Sequence, residues 1–170
     1  MQAAKRPENE TQRLTALRAL SILDTPADDA FERLTQLARD LFDVPMALVS
    51  LVDEERQWFK SHPGLPICET SREVSFCAHA IAADMPLVIE DAQSDRRFAD
   101  NPLVTGKPHI RFYAGHPLRP SDTLAVGTLC LISDRPRAFS TRDRQLLASL
   151  AGQVDELLRQ HQMRHTLSQT

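Results

Sequence analysis

The sequence predicts an α+β domain built on one largely antiparallel sheet of five or six strands, with the terminal helices packed on one face. Three observations lead there. The 170 residues, 42% of them hydrophobic and 25% charged, suffice for one substantial core and leave no room for a second full domain. Hydrophobic periodicity runs in the order helix, helix, strand, strand, helix, strand, loop, strand, strand, helix. The last two strands are separated only by the turn-like RPSDT, which favours antiparallel neighbours.

After a polar tail over residues 1–9, ETQRLTALRALSIL repeats Leu14, Leu17, Leu20 and Ile22 or Leu23 at helical spacing up to the turn signal DTP. In TPADDAFERLTQLARDLF, Thr25 is expected to cap a second helix and Pro26 to take its first position. Asp28 and Asp29 suit the positive N-terminal end, and Phe31, Leu34, Leu37, Ala38 and Leu41 form one apolar face. Pro45 opens MALVSLVD, whose apolar residues occupy both faces, as in a central strand covered on each side. DEER leads into QWFKS as a hairpin partner, with Asp53, Trp58 and Phe59 shaping the hairpin, and HPGLPICETSRE reads as an irregular surface excursion.

SFCAHAIAAD, with four alanines and Ser75 as cap, predicts a short helix before the strand PLVIED. DAQSDRRFADNPLVTGKPH reads as a loop with short helical turns. In the strand IRFYAGHPL, Ile110, Phe112 and Ala114 are expected on one face and Arg111, Tyr113 and Gly115 on the other, which lines either a pocket or solvent. LAVGTLCLIS is its partner. At FSTRDRQ, Ser140 and Asp143 form an acidic variant of the capping box before a long helix. There Leu147, Leu150, Val154 and Leu157 make a seam that His161 and Arg164 end, serving either packing on the sheet or a dimer contact.

The formal net charge of −3, with both signs interspersed, offers no basic field for nucleic acid and no polybasic segment for a membrane. The start, MQAAKRPENETQR, lacks an apolar leader, and the longest nearly apolar run, Val44 to Val52, is too short to span a bilayer, so a cytoplasmic location is expected. Cys68, Cys77 and Cys130 show no CxxC spacing and read as free thiols, neither a disulfide framework nor a zinc finger. His161 and His165 stand four apart but lack a third ligand, so no metal is expected.

ILDTP, SLVDEERQWFKS, SFCAHAI, NPLVTGKPHIRFYAG and GTLCLIS, in this order and spacing, resemble the bacterial GAF domain family over residues 10–158, with 159–170 a polar continuation of the last helix. The resemblance implies a GAF/PAS-like central antiparallel sheet of about six strands with the terminal helices on one face. On the other, a short helix and loops cover a small-molecule pocket. Cyclic-nucleotide-binding relatives share an Asn-Lys…Phe…Asp-Glu signature that does not lie in order on this chain. Bilin-binding relatives attach chromophore through a cysteine often followed by histidine between the later strands, whereas Cys77 and His79 are separated and precede PLVIED. Cys68 and Cys77 resemble the first cysteine pair of the free-methionine sulfoxide reductases. The third, catalytic cysteine of that group has no counterpart between Asp91 and Ile110.

SFCAHAI poses a local question: Cys77 and His79 would share a face on a strand, but on a helix they point roughly 200° apart. The helix reading makes them independent and puts Cys77 in the first turn, where the helix dipole favours a thiolate, against the plainer reading of a small packing residue. Cys130, in an alternating apolar strand, is expected to be buried and inert.

The expectation is a cytoplasmic sensory or regulatory domain that binds a small ligand through Phe76, Cys77, His79, Asp91, Arg111 and Tyr113. It has no catalytic residue and no assigned cofactor. It signals as a homodimer through its terminal helices to a separate kinase or cyclase. The alternatives are a thiol-dependent free-methionine sulfoxide reductase and a ligand-free dimerisation module with an occluded pocket.

Overall fold

The computed structural model describes residues 1–168. Helices α1 (Glu10–Ala19) and α2 (Asp29–Phe42) lead into strands β1 (Met46–Val52), β2 (Arg56–Ser61) and β3 (Glu69–Ser71). The short helix α3 (Phe76–Ala83) and strand β4 (Leu87–Ile89) follow, then the one-turn helix α4 (Pro102–Thr105), strands β5 (Phe112–Leu118) and β6 (Gly127–Ser133), and helix α5 (Thr141–Ser168). The six strands form one sheet in the order β3-β2-β1-β6-β5-β4, with every adjacent pair antiparallel. β3 lies within the segment expected to be irregular and supplies one sheet edge.

Alternation along the strands separates two cores. Ala47, Val49 and Leu51 of β1, with Phe112, Ala114, Leu129 and Leu131, face α1, α2 and α5. Met46 and Leu48, with Phe59, Tyr113, Cys130 and Ile132, face α3 and the loop carrying Phe98, Val104 and Ile110. β1 is buried over its whole length, as its unbroken apolar run requires.

Three local expectations are corrected. Helix α2 is capped by Asp28, whose carboxylate accepts from the Ala30 N–H at 2.9 Å, rather than by Thr25. Pro26 precedes the helix, and its carbonyl accepts from Lys60 Nζ. The buried face of α2 is Phe31, Thr35, Ala38 and Phe42, while Leu37 and Leu41 are 49% and 48% exposed. Thr35 can be buried because its hydroxyl pairs with Ser61 Oγ of β2 at 2.7 Å, and that seat rotates the two leucines outward.

Ile110 precedes β5, so strand alternation does not reach it; it packs on the Tyr113 side of the sheet rather than with Phe112 and Ala114. In α5 the buried stripe is Leu147, Ala151, Val154 and Leu158, with Leu150 and Leu157 partly buried against the same core. The expected seam therefore serves packing on the sheet. The capping box at its start forms as expected, with Asp143 N–H donating to Ser140 Oγ and Ser140 N–H to Asp143 Oδ2. Among the described residues no helix is long and apolar enough to cross a membrane.

Candidate functional site

The pocket face of the sheet holds a cavity between β1, β2, β5, β6 and α3. Cys77, Tyr113 and Cys130 are buried in its lining, while Ile67, Thr70, Leu103 and Pro108 form the more exposed side. Its volume of about 20 Å³ holds roughly one ordered water.

Cys77 sits in the first turn of α3, which Ser75 caps by accepting from the Ala78 N–H at 3.0 Å. Its sulfur accepts from the hydroxyls of Thr128 at 3.0 Å and Tyr113 at 3.1 Å, and lies 4.0 Å from the Cys130 sulfur. β5 and β6 supply these partners together, because their register pairs Gly115 with Cys130 and Pro117 with Thr128. Gly115 is required here: a Cβ at that position would collide with the Tyr113 hydroxyl. Gln57 closes the polar side of the cavity, its Oε1 accepting from Ser50 Oγ at 3.2 Å and Ser75 Oγ at 2.8 Å and its Nε2 donating to Thr70 Oγ1 at 2.6 Å.

Burial pushes the Cys77 thiol up, but its hydrogen bonds with Cys130, Thr128 and Tyr113 outweigh it and hold the group at about 6. Burial and the neighbouring Cys77 both drive Cys130 well above the ordinary thiol value. The two thiols are therefore shifted in opposite directions, Cys77 down and Cys130 up. Cys130 is buried, as expected above.

Of the six expected ligand residues, the cavity gathers Phe76, Cys77 and Tyr113. Phe76 stacks on Phe98 with centroids 4.2 Å apart and tilts against Tyr113 at 5.2 Å. His79 is turned to another face of α3, where Nε2 donates to the Gln2 carbonyl at 3.0 Å and the ring meets Phe98 edge-on. Asp91 caps the turn at residues 92–94, accepting from Gln93 N–H and Ser94 Oγ. Arg111 donates to the carbonyls of Val104 and Ile110, bracing the loop. These three do not line the cavity.

Two residues connect this face to the helical layer. Asp84, in left-handed conformation at the end of α3, accepts from Arg119 Nη2 at 2.7 Å, and the Arg119 N–H donates to Asp155 of α5 at 2.9 Å. His161 lies against the Ser21 carbonyl at 3.2 Å, which accepts from Nε2. Among the described residues no three His, Cys, Asp or Glu converge as a metal site.

A sheet carrying helices on one face and a roofed cavity on the other is the arrangement the quoted segments imply, and the GAF domain profile matches residues 26–156. The chain belongs to the GAF domain family. It is 42% identical over 161 residues to a cyclic di-GMP phosphodiesterase of Pseudomonas aeruginosa, covering 94% of this chain but only 27% of that protein's length. The GAF domain of PixJ from Thermosynechococcus elongatus, in its blue-light-absorbing form, superposes with a TM-score of 0.65 at 18% identity, covering 93% and 94% of the two chains. The GAF domain of an Acinetobacter phosphoenolpyruvate-protein phosphotransferase does so at 0.64 and 18%, covering 94% and 98%. The substrate-bound free methionine-R-sulfoxide reductase of Neisseria meningitidis gives 0.64 at 16%, covering 97% and 98%. At such identities these structures attest the fold alone.

Proposed function

We propose that this GAF domain is a regulatory module of a cyclic-di-GMP-type signalling system. It reads the state of its pocket face, through a small ligand admitted when the roof opens, and passes it to an output partner through α5 and a homodimer of the helical layer. The observation that carries this reading is the 42% identity, across 94% of the chain, to about a quarter of a cyclic di-GMP phosphodiesterase. The Asp84–Arg119–Asp155 connection supports it, since it links the end of α3 to α5. The reductase alternative lacks that support, because no cysteine lies between Asp91 and Ile110.

The test replaces the matching segment of the Pseudomonas enzyme with this chain and measures cyclic di-GMP hydrolysis. The chimera is expected to hydrolyse the dinucleotide, and Leu65→Trp, which fills the cavity from a loop, to change the rate at least about threefold, near the low end of allosteric couplings. A rate indifferent to that substitution in a folded chimera refutes the reading. Native mass spectrometry of the chain purified from its own cells identifies the ligand.

A further inference from the structure

We propose that Cys77 and Cys130 form a peroxide-oxidised dithiol, in which hydrogen peroxide admitted to the cavity converts the two thiols into a reversible disulfide. The sulfurs face each other at 4.0 Å from different elements, α3 and β6, and both line the cavity. The Thr128 and Tyr113 hydroxyls donate to Cys77 at 3.0 and 3.1 Å, which suits Cys77 to be the nucleophile and Cys130 the resolving partner. The remaining lining is predominantly apolar. The cavity volume of about 20 Å³ selects for an oxidant hardly larger than water. Cys68 is exposed and does not line the cavity.

The chemistry balances with peroxide as the two-electron oxidant. The Cys77 thiolate attacks one peroxide oxygen, the O–O bond breaks, and the departing hydroxide takes up the proton that Cys77 lost on ionising. This gives water and a Cys77 sulfenic acid. The Cys130 sulfur then displaces the sulfenic hydroxyl, its own proton leaving with that hydroxyl as a second water while the S–S bond forms. Closing from 4.0 Å to the roughly 2.05 Å of a disulfide draws the first turn of α3 toward β6. The hydrogen bonds at Cys77 lower its pKa, which favours the thiolate that attacks. The dithiol rests on its own geometry and holds whether or not the module controls a cyclic-dinucleotide enzyme.

The purified full chain is exposed to hydrogen peroxide, quenched, and mapped by mass spectrometry. The expected product has lost two hydrogens, joins the Cys77 and Cys130 peptides, leaves Cys68 unlinked, and reverts with dithiothreitol. Cys77 is consumed at least about tenfold faster than Cys68, and its rate rises through about pH 6, a rise that Tyr113→Phe moves to higher pH. Cys130→Ala, or Cys130→Ser if the alanine protein does not fold, stops at a sulfenic acid trapped by dimedone. Oxidation confined to Cys68, or a Cys77–Cys130 link that forms only in denaturant, overturns the proposal without recourse to any variant.

Discussion

Glu10 opens α1 and is held by two arginines: Arg13 Nε donates to Oε1 at 2.9 Å, and Arg72 donates to both carboxylate oxygens. Arg13 in turn donates from Nη1 to the Val52 carbonyl at 2.7 Å, so this cluster fastens α1 to the end of β1 and to the turn before α3. Burial raises the Glu10 pKa, but the hydrogen bonds from Arg72 and Arg13 prevail and bring it from 4.5 to about 2. A carboxylate depressed on folding contributes stability that is complete above pH 4.5 and is lost as pH falls toward 2. Glu10→Gln is therefore expected to cost about 3 kcal/mol at pH 7, and urea unfolding from pH 7 to pH 2 should show the two proteins converging at the acid end. The same scale shows what the sequence discloses of the candidate site. Phe76, Cys77 and Tyr113 are legible from short-range spacing. Thr128 and Cys130 are not, because their meeting with Cys77 depends on the β5–β6 register and on how α3 lies across it. His79, Asp91 and Arg111 satisfy backbone groups nearby, a use that residue type alone does not reveal.

At the level of elements, α5 distinguishes a stripe from a seam. Leu147 and Leu150 belong to one heptad-like pattern in the sequence, yet Leu147 is 2% exposed within the core and Leu150 only partly covered. Leu147→Ala is expected to cost about 2–5 kcal/mol and Leu150→Ala about 1 kcal/mol, as read from urea midpoints at constant slope. Equal costs would restore the seam. The order and type of the main helices and strands were legible because each carries a strong period of its own. The stripe on α2 was not, since Thr35 looks polar until Ser61 is placed opposite its hydroxyl. β3 was obscured in the same way: its three residues lack apolar alternation and pair only because β2 presents an open edge.

For the molecule as a whole, the helical layer leaves Leu37 and Leu41 of α2 and Met163 of α5 substantially exposed, and α2 packs beside α5. The chain is expected to sediment as a dimer at micromolar concentration. Leu41→Glu with Met163→Glu should shift it to monomer while leaving the circular dichroism spectrum unchanged; an unmodified chain that sediments as a monomer would refute the dimer. The margins of the sheet bear on the same question. β3 and β4, the two outermost strands, are three residues each, so an approaching chain finds very little unpaired backbone to extend. Accretion strand upon strand, the route to insoluble fibrils, is thereby starved of a template, and a crowded solution of this protein should stay clear where a long-edged sheet of similar apolar content would cloud.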